Sequence, residues 1–243
     1  METVMTSSFF ESTPILKTLL SKIDKQVEIK DSTIPNAGKG LFAKKAIKAN
    51  TLVGFYPAHA LGVEDCFVYS NEKDASYFAD HPSPNSDYLH CTDQPLFQRP
   101  SLLLQGDTNN PVYLDVNPNR PITTGWVSQM INDGAIVSEP TEAGILQYYQ
   151  AAKVNNNCVH IPFGPSPILA TITTKKLKAG SELFTTYGGV YWLGNFANHS
   201  VPITPVIRQE IQATAKTLQT CIQTANRLYS NPMEALQLAY ENL

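Results

Sequence analysis

Short β-prone runs, each closed by turn-forming residues, follow one another along most of this chain. Beginning at Val27, the runs VEIKDS, GLFAKKAI and TLVGFYP are separated by PNAGKG and KAN, where Gly, Pro and Asn favour tight turns. Two further runs, CVHIPF and PILATITT, follow three consecutive asparagines at 155–157. Such short runs predict several small sheets, and we therefore expect a mainly β fold to which helices are added.

Helical patterns lie at both ends of the chain and once in its middle. Pro14 follows a threonine and opens ILKTLLSKIDK, and Thr141 begins TEAGILQYYQAAK, which is a capped helix by its pattern. Toward the C-terminus, Pro205 opens a longer helix and Pro232 a second, short one. The apolar residues that recur at helical spacing in the longer helix are Ile207, Ile211, Leu218, Ile222 and Leu228.

Residues 70–121 have a different composition, rich in Pro, Asn, Asp and Ser. This composition predicts an irregular, loop-rich insertion in which only DYLHC and PVYLDV are strand candidates. The chain shows neither an internal repeat nor a clear linker. We therefore predict an N-terminal helix at 1–25, one central domain at 26–194 with a variable acidic insertion at 60–121, and a C-terminal helical segment at 195–243.

The formal net charge of −3 conceals an uneven distribution of charge along the 243 residues. Residues 60–145 contain twelve Asp or Glu and three basic residues, a net charge of −9, which leaves +6 for the rest of the chain. An acidic region repels nucleic acid and suits a basic partner, whose binding weakens as salt screens the charges. A solvated acidic surface without a binding function explains the same charges equally well.

The sequence indicates neither a membrane span nor a metal cluster. No apolar run approaches the ~20 residues of a membrane-spanning helix, and the first ten residues lack a basic cluster. The four cysteines form no CxxC pair, which favours buried thiols in a reducing compartment. We expect an intracellular protein, in the nucleus or the cytoplasm, with no membrane and no direct nucleic-acid partner. The four cysteines are Cys66, Cys91, Cys158 and Cys221.

Three segments carry the motifs that bear on function. The first, IPNAGKGLFAKKAIKANTLVGFY, has a glycine on each side of Lys39, a pattern that by itself is typical of a tight turn because it lacks P-loop spacing. The second is VYLDVNPNRPITTGWVSQMINDG, and the third is NNNCVHIPFGPSPILATITTKKLKAGSELFTTYGGVYW. Over about residues 27–192, their content and order resemble the SET domain, the fold of a family of protein lysine methyltransferases.

The resemblance implies a fold, a reaction and a set of residues. The fold is a β-clip of several short sheets with a C-terminal pseudoknot. The reaction is methyl transfer without a metal ion from S-adenosylmethionine to a lysine in a basic segment of a protein substrate, for which a histone is one candidate. Tyr187 and Tyr56 take the catalytic positions, and Phe184 and Thr185 the lysine channel. The cofactor-binding positions are Ala37, Gly38, Lys39, Gly40, Asn132, Asp133, Tyr187 and Trp192.

Several positions differ from the family pattern. The family's Asn-His-Ser motif becomes Asn132, Asp133 and Gly134, an arginine before it becomes Gln129, and a glycine after the third strand becomes Ala58. In the family, the asparagine side chain is used directly, whereas the histidine contributes largely through its backbone. Retention of Asn132 therefore keeps the essential chemistry.

Two further features near Tyr187, at 198–200 and at Thr185, can be compared with the family pattern. A literal Asn-His-Ser stands at 198–200, but the family places this motif before its catalytic tyrosine, so we interpret 198–200 as a loop outside the site. Thr185 lies two residues before Tyr187, where the family often has Phe or Tyr. Its smaller side chain predicts that the lysine accepts two or three methyl groups.

The residues leave alternatives open. Tyr56 could be a half-buried packing residue, and Tyr191 with Trp192 could form the seam that docks the C-terminal helix. The domain could be catalytically silent and act as a binding module for the cofactor or a peptide. It could also be an unrelated barrel, in which case Gly38, Asn132 and Tyr187 would lie far apart.

Overall fold

The β-prone runs form four small sheets in the computed structural model, which describes residues 14–63, 66–81, 90–91, 112–163, 169–194, 196 and 201–230. The strands are β1 (Val27–Asp31), β2 (Lys39–Ala43), β3 (Leu52–Tyr56), β4 (Ala60–Val63), β5 (Cys66–Tyr69), β6 (His90–Cys91), β7 (Val112–Asp115), β8 (Asn132–Asp133), β9 (Cys158–Pro162), β10 (Leu169–Thr173) and β11 (Phe184–Thr185). The helices are α1 (Pro14–Asp24), α2 (Glu72–Asp80), α3 (Glu142–Asn155), α4 (Gly189–Leu193) and α5 (Pro205–Leu228). The predicted fold class, short sheets with helices at both ends of the described chain, is confirmed.

The first sheet is the antiparallel pair β1–β2, which runs from the Val27–Ala43 pair to the Asp31–Lys39 pair. Its connection is the predicted PNAGKG turn, in which Asn36 and Gly38 have φ of 64° and 68°. A glycine is the residue that adopts this left-handed conformation without strain. The turn therefore presents the backbone of residues 37–40 at one end of the hairpin.

The core lies around the three-stranded antiparallel sheet β3–β10–β9. Every residue of β10 is buried, and the aromatic ring of Phe55 in β3 packs against Trp126 at 5.3 Å and Phe163 at 5.4 Å between ring centroids. Side chains of α1, including Leu20 and Ile23, belong to the same cluster. The sequence of β3, LVGFY, is a continuous apolar run, which suits a strand that is covered on both faces.

A third sheet consists of only two residues in each strand. β8 pairs in parallel with β11, with Asn132 opposite Phe184 and Thr185 opposite Asp133. This pairing lays the second motif segment directly beside the third.

The insertion is more regular than its composition predicts. It contains the four-stranded sheet β5–β4–β7–β6, in which β6 and β7 lie within the predicted strand candidates DYLHC and PVYLDV. It also contains the helix α2, which the sequence analysis missed. Asn71 caps α2, because its side-chain oxygen accepts hydrogen bonds from the amides of Lys73 at 3.0 Å and Asp74 at 3.1 Å. An Asn cap before acidic residues is a helix signal, but the surrounding Ser, Asp and Tyr concealed it.

Part of the acidity of the insertion is internal. Asp74 is buried, accepts hydrogen bonds from the Ser70 hydroxyl and from the Asn117 amide at 3.0 Å, and lies 3.7 Å from Nε of Arg120. Asp115 and Asp133 are buried as well. Three of the twelve acidic residues counted in the sequence therefore contribute nothing to an acidic surface.

The C-terminal helix α5 begins where predicted, with Thr204 as its cap and the Thr204 hydroxyl accepting a hydrogen bond from the Ile207 amide at 3.3 Å. It packs against β9 and α3. The predicted apolar stripe is only partly correct, since Ile211 and Leu228 are 38% and 54% exposed. The short helix α4 was not predicted, and the helix predicted at Pro232 lies outside the described residues.

The described residues also bear on what the sequence indicated about membrane spans, metal sites, cysteines and domain boundaries. Among the described residues, no helix has the length and apolar character needed to cross a membrane, and no group of His, Cys, Asp or Glu could hold a metal ion. Cys158 and Cys221 are buried free thiols, and burial raises the pKa of both. The proposed boundaries at residues 25 and 194 stay predictions.

One hydrogen bond ties the end of α5 to the core sheet and provides a test of this packing. The Leu52 amide donates to the Tyr229 hydroxyl at 2.9 Å, and Leu52 is buried. We expect Tyr229→Phe to lower the free energy of unfolding by about 1–2 kcal/mol, because a buried amide then lacks its acceptor. Urea denaturation measures the change. Tyr69→Phe, which keeps the ring stacked on Phe78, is the control, and an equal effect of both variants would contradict this account.

Candidate active site

The three motif segments meet at one place. The side-chain amide of Asn132 donates to the Lys39 carbonyl at 3.0 Å, and the Tyr187 hydroxyl donates to the Ile131 carbonyl at 3.0 Å. The second segment therefore contacts the glycine turn on one side and the tyrosine on the other. This convergence excludes the alternative of an unrelated barrel in which these motifs would lie far apart.

The glycine turn leaves backbone accessible. No heavy atom lies within 4 Å of the position that a Cβ of Gly38 would take, and the Gly38 carbonyl accepts a hydrogen bond from the Ser32 amide at 2.9 Å. Lys39 is exposed and pairs with Asp31 at 2.6 Å. Ala37 bonds through its amide to the Ile34 carbonyl at 3.2 Å. A ligand can thus approach the main chain closely at Gly38.

Glu182 joins the turn to the second and third segments. This carboxylate is buried and accepts hydrogen bonds from the Ser32 hydroxyl at 2.7 Å, the Thr33 amide at 2.7 Å and the Thr33 hydroxyl. Asn132 also donates to it, at 3.4 Å. A Cβ on Gly40 would overlap the carboxylate, which is the reason for glycine there. Glu182 lies within the third motif segment, but the sequence analysis did not predict this role.

Asp133 stands where the family has histidine, and it is only 3% exposed. Burial raises the pKa of its carboxyl group, although the hydrogen bonds it receives act in the opposite direction. In every hydrogen bond described for its carboxylate, Asp133 is the acceptor. Oδ2 accepts from the Tyr148 hydroxyl at 2.7 Å, the Tyr187 amide at 2.9 Å and the Trp192 indole at 3.0 Å, and Oδ1 accepts from the Ala135 amide at 3.1 Å and the Asn156 side chain at 3.3 Å.

Tyr187 lies at the surface of this network. Its side chain is 38% exposed, and its ring lies 4.8 Å from the Tyr191 ring and stacks 6.2 Å from Trp192. Trp192 also packs against the cluster that contains Ile207 of α5. The interpretation of Trp192 as part of the seam with the C-terminal helix therefore has a structural basis, while its contact with a cofactor stays a prediction.

Gly134 is explained by its neighbours. Its amide donates to Oδ1 of Asn156 at 2.9 Å, and its carbonyl accepts from the side chain of Asn155 at 2.7 Å. Asn157 bonds through its side chain to the Phe184 amide at 3.0 Å and the Glu182 carbonyl at 3.0 Å. The three asparagines, which were predicted only as a turn, thus fasten the second segment to the third. In the sequence, the run of three consecutive asparagines was the feature that could have indicated this role.

The remaining predicted residues lie on either side of this arrangement. Phe184 is half-buried on β11, whereas Thr185 is 1% exposed. Tyr56 ends β3, and its ring meets that of His160 edge to face at 5.5 Å. Oε1 of Gln129 is buried without a hydrogen-bond partner in the described part of the chain. The segment 198–200 lies outside the described residues.

The fit at Gly134 gives a direct test. A Cβ at this position would lie 2.5 Å from Oδ1 of Asn156, which is held by the Gly134 amide. We expect Gly134→Ala to lower the free energy of unfolding by about 2–4 kcal/mol through overlap and a strained hydrogen bond. Urea denaturation of both variants provides the comparison with Gly180→Ala.

Gly180→Ala is the matched control, because Gly180 has φ of 80° and open space around it. Its cost is limited to about 1 kcal/mol of left-handed backbone strain. A loss in Gly134→Ala no larger than that of the control would contradict the steric account.

Comparison with known proteins places these observations in a family. No curated protein sequence matches. One solved structure that is similar is a candidate histone methyltransferase from Plasmodium falciparum, with 13% identity, a TM-score of 0.34 and coverage of 69% of this chain and 97% of that chain. Another is the ATXR5 SET domain in complex with histone H3 di-methylated on an arginine, with 15% identity, a TM-score of 0.43 and coverage of 76% and 68%. The SET domain family model matches residues 38–188, which is more than half of the 243 residues, and the chain therefore belongs to the SET domain family.

Proposed function

We propose that this chain is a protein lysine methyltransferase that takes its methyl group from S-adenosylmethionine. The observation that carries the proposal is the meeting of the glycine turn, Asn132 and Tyr187 in a chain that belongs to the SET domain family. The residues that carry the family's motif thus lie together although they are distant in sequence.

The chemistry is a direct displacement, in which a bond forms between the lysine nitrogen and the methyl carbon while the bond from sulfur to carbon breaks. The electron pair of the broken bond stays on sulfur, and the methylated ammonium loses a proton to solvent before another transfer. S-adenosylmethionine supplies the electrophilic methyl group on a sulfonium centre. The protein contributes mainly by holding the reactants in line.

The attacking lysine must be neutral. A lysine with a pKa of ~10.4 is almost fully protonated at neutral pH, so the site must favour the uncharged amine. Apolar surroundings and a neighbouring cation both lower a lysine pKa. Tyr56, Tyr187 and Phe184 are the aromatic side chains proposed to supply such surroundings.

The hydroxyl of Tyr187 is prepared to orient the amine. It donates its own hydrogen to the Ile131 carbonyl, which fixes its direction, and a hydroxyl oxygen is a group that can accept an N–H of the lysine. An amine held by its N–H groups directs its lone pair elsewhere, toward the methyl carbon. Tyr56, at the end of β3, is the second proposed catalytic residue.

The described residues fit a cofactor that lies against backbone. Gly38 and Gly188 both have positive φ, and neither has a heavy atom within 4 Å of its Cβ position. Asn132, which contacts the glycine turn, and Tyr187 add polar side chains. The residues proposed to hold the cofactor are Ala37, Gly38, Lys39, Gly40, Asn132, Asp133, Tyr187 and Trp192.

The proposed substrate is a protein with a lysine in a basic segment, in the nucleus or the cytoplasm. Exposed acidic residues lie at both ends of α2, before α3 and at its first position, namely Glu72, Asp80, Glu139 and Glu142. Acidic side chains at a surface attract Lys-rich and Arg-rich segments over about 8–10 Å at physiological salt.

A catalytically silent binding module is the second candidate function. It is favoured by the hydrogen bonds of Asn132, whose amide group donates to Ser32, Lys39 and Glu182, and by the indole of Trp192, which donates to Asp133. Because these groups are bonded within the protein, they are less available to orient the cofactor for methyl transfer, which favours a domain without turnover. Cofactor titration combined with methyl incorporation separates the two functions.

Substitution of the central tyrosine tests the enzyme. We expect wild-type protein to transfer labelled methyl groups from S-adenosylmethionine to core histones or to proteins of a cell lysate. Tyr187→Phe should reduce transfer by about 100-fold or more, because the group that orients the amine is lost while the ring remains. Tyr69→Phe is the matched control and should keep full activity.

Two outcomes would contradict the proposal in different ways. Wild-type protein that binds S-adenosylmethionine but transfers nothing favours the binding module. Transfer that persists in Tyr187→Phe removes Tyr187 from the centre of the reaction.

The number of methyl groups provides another test. Thr185 is smaller than the Phe or Tyr of many family members, so we expect dimethyl-lysine or trimethyl-lysine to accumulate when the cofactor is in excess. Mass spectrometry of the product over time measures this. Thr185→Val keeps the size of the side chain and should keep the product distribution, since bulk is the proposed determinant. A wild-type reaction that stops at monomethyl-lysine would refute the idea.

A further inference from the structure

Tyr187 is held at both ends by the residues on either side of Asn132. Its hydroxyl donates to the Ile131 carbonyl at 3.0 Å, and its amide donates to the Asp133 carboxylate at 2.9 Å. The same carboxylate oxygen receives the indole N–H of Trp192, whose ring stacks on that of Tyr187. The segment 131–133, which includes β8, therefore fixes the main chain of Tyr187, its hydroxyl, and the indole of Trp192 that stacks on its ring.

We propose that Asp133 is a positioning residue for methyl transfer, whose carboxylate fixes the main chain of Tyr187 and the indole of Trp192 so that the Tyr187 hydroxyl stays at the Ile131 carbonyl. The inference rests on the proposed function and deepens it. Asp133 acts through Tyr187 and Trp192 and need not touch the reacting atoms.

The polar groups around Asp133 require a hydrogen-bond acceptor at this position. The contacts of both carboxylate oxygens are with donors only, so an amide in either orientation would place its NH₂ group against N–H groups. A carboxylate satisfies every one of them. A protonated carboxyl keeps lone pairs on both oxygens and can donate to the Tyr148 oxygen, while Tyr148 turns its hydrogen to the Thr186 hydroxyl at 2.6 Å.

The charge on Asp133 is balanced by hydrogen bonds alone. None of the ion pairs among the described residues includes it. Its polar neighbours are Tyr148 and Asn156 from α3 and its end, Tyr187 from the segment after β11, and Trp192 from α4. Burial and the Asp133 charge raise the pKa of the Tyr148 hydroxyl, so Tyr148 stays protonated wherever Asp133 titrates.

Trp192 reports the state of Asp133 independently of activity. The chain has two tryptophans, and Trp126→Phe leaves Trp192 as the sole indole. Since burial raises the pKa of Asp133, the emission of Trp192 should change with a midpoint above the ordinary aspartate value of about 3.9. Far-ultraviolet circular dichroism at the same pH values distinguishes this local change from unfolding. If Trp126→Phe does not fold, the difference between wild type and Trp192→Phe gives the same signal.

Two substitutions test the link between the indole and the carboxylate. Asp133→Asn should abolish the titration of Trp192. Tyr148→Phe should move its midpoint to higher pH, because the lost hydroxyl stabilises the charged carboxylate. Tyr229→Phe, which also removes a buried hydroxyl but at the junction of α5 and β3, should leave the midpoint unchanged. A titration that persists in Asp133→Asn, or an unmoved midpoint in Tyr148→Phe, overturns the proposal.

Kinetics show whether the link serves the reaction. Asp133→Asn should lower kcat on the order of 10- to 100-fold, the effect of losing one or two charge-assisted hydrogen bonds, with little change in KM for the peptide. Asp24→Asn, at the exposed end of α1, is the matched control. Full kcat in Asp133→Asn overturns the positioning role. Wild-type protein without transfer whose Trp192 titrates through Asp133 overturns the proposed function and supports the fixation of Tyr187.

Discussion

The site depends on the parallel pairing of β8 with β11, which extends over only two residues in each strand. This pairing is too short to hold the site together without other contacts. A ladder of two residues per strand is far below the length at which sheets become stable. Buried side chains supply what the ladder lacks: Asn157 bonds to both the amide and the carbonyl of Phe184, through its side chain and its own amide. Asp133 and Glu182, one on each segment, then extend the connection to Tyr187 and to the glycine turn. The site is therefore a polar assembly set beside an apolar core.

Two buried carboxylates are a costly way to build such a connection. Burial penalises a charged carboxylate, and hydrogen bonds from several donors offset the penalty only in part. At Asp133 the offset is incomplete, because its pKa stays raised. An unfolded aspartate deprotonates first as pH rises, so the contribution of Asp133 to the stability of the fold declines from about pH 3.9 up to the raised folded-state pKa and is constant above it. At neutral pH this destabilising contribution is present in full, and the carboxylate holds its donors in one defined arrangement.

Local patterns were sufficient for most of the fold, and nonlocal ones were needed for most of the site. The turn at 36–40 and the start of α5 at Pro205 follow from residue types that act on their own neighbours. The partners of Asp133 do not, because the Tyr187 amide and Trp192 indole lie 54 and 59 residues away along the chain. The helix α2 was missed for a simpler reason, since its composition resembles that of a loop. Motif order indicated which segments meet but not which side chains hold them.

The differences from the family pattern form a consistent set, which bears on whether the chain is an enzyme. A replacement that left buried polar groups without partners would be costly. Around Asp133 and Gly134 the opposite is found: the carboxylate has its donors, and Asn155 and Asn156 satisfy both the carbonyl and the amide of Gly134. Gln129, with its unpartnered oxygen, is the exception. The replacements therefore retain hydrogen bonds to both the amide and the hydroxyl of Tyr187, the residue at the centre of the proposed reaction.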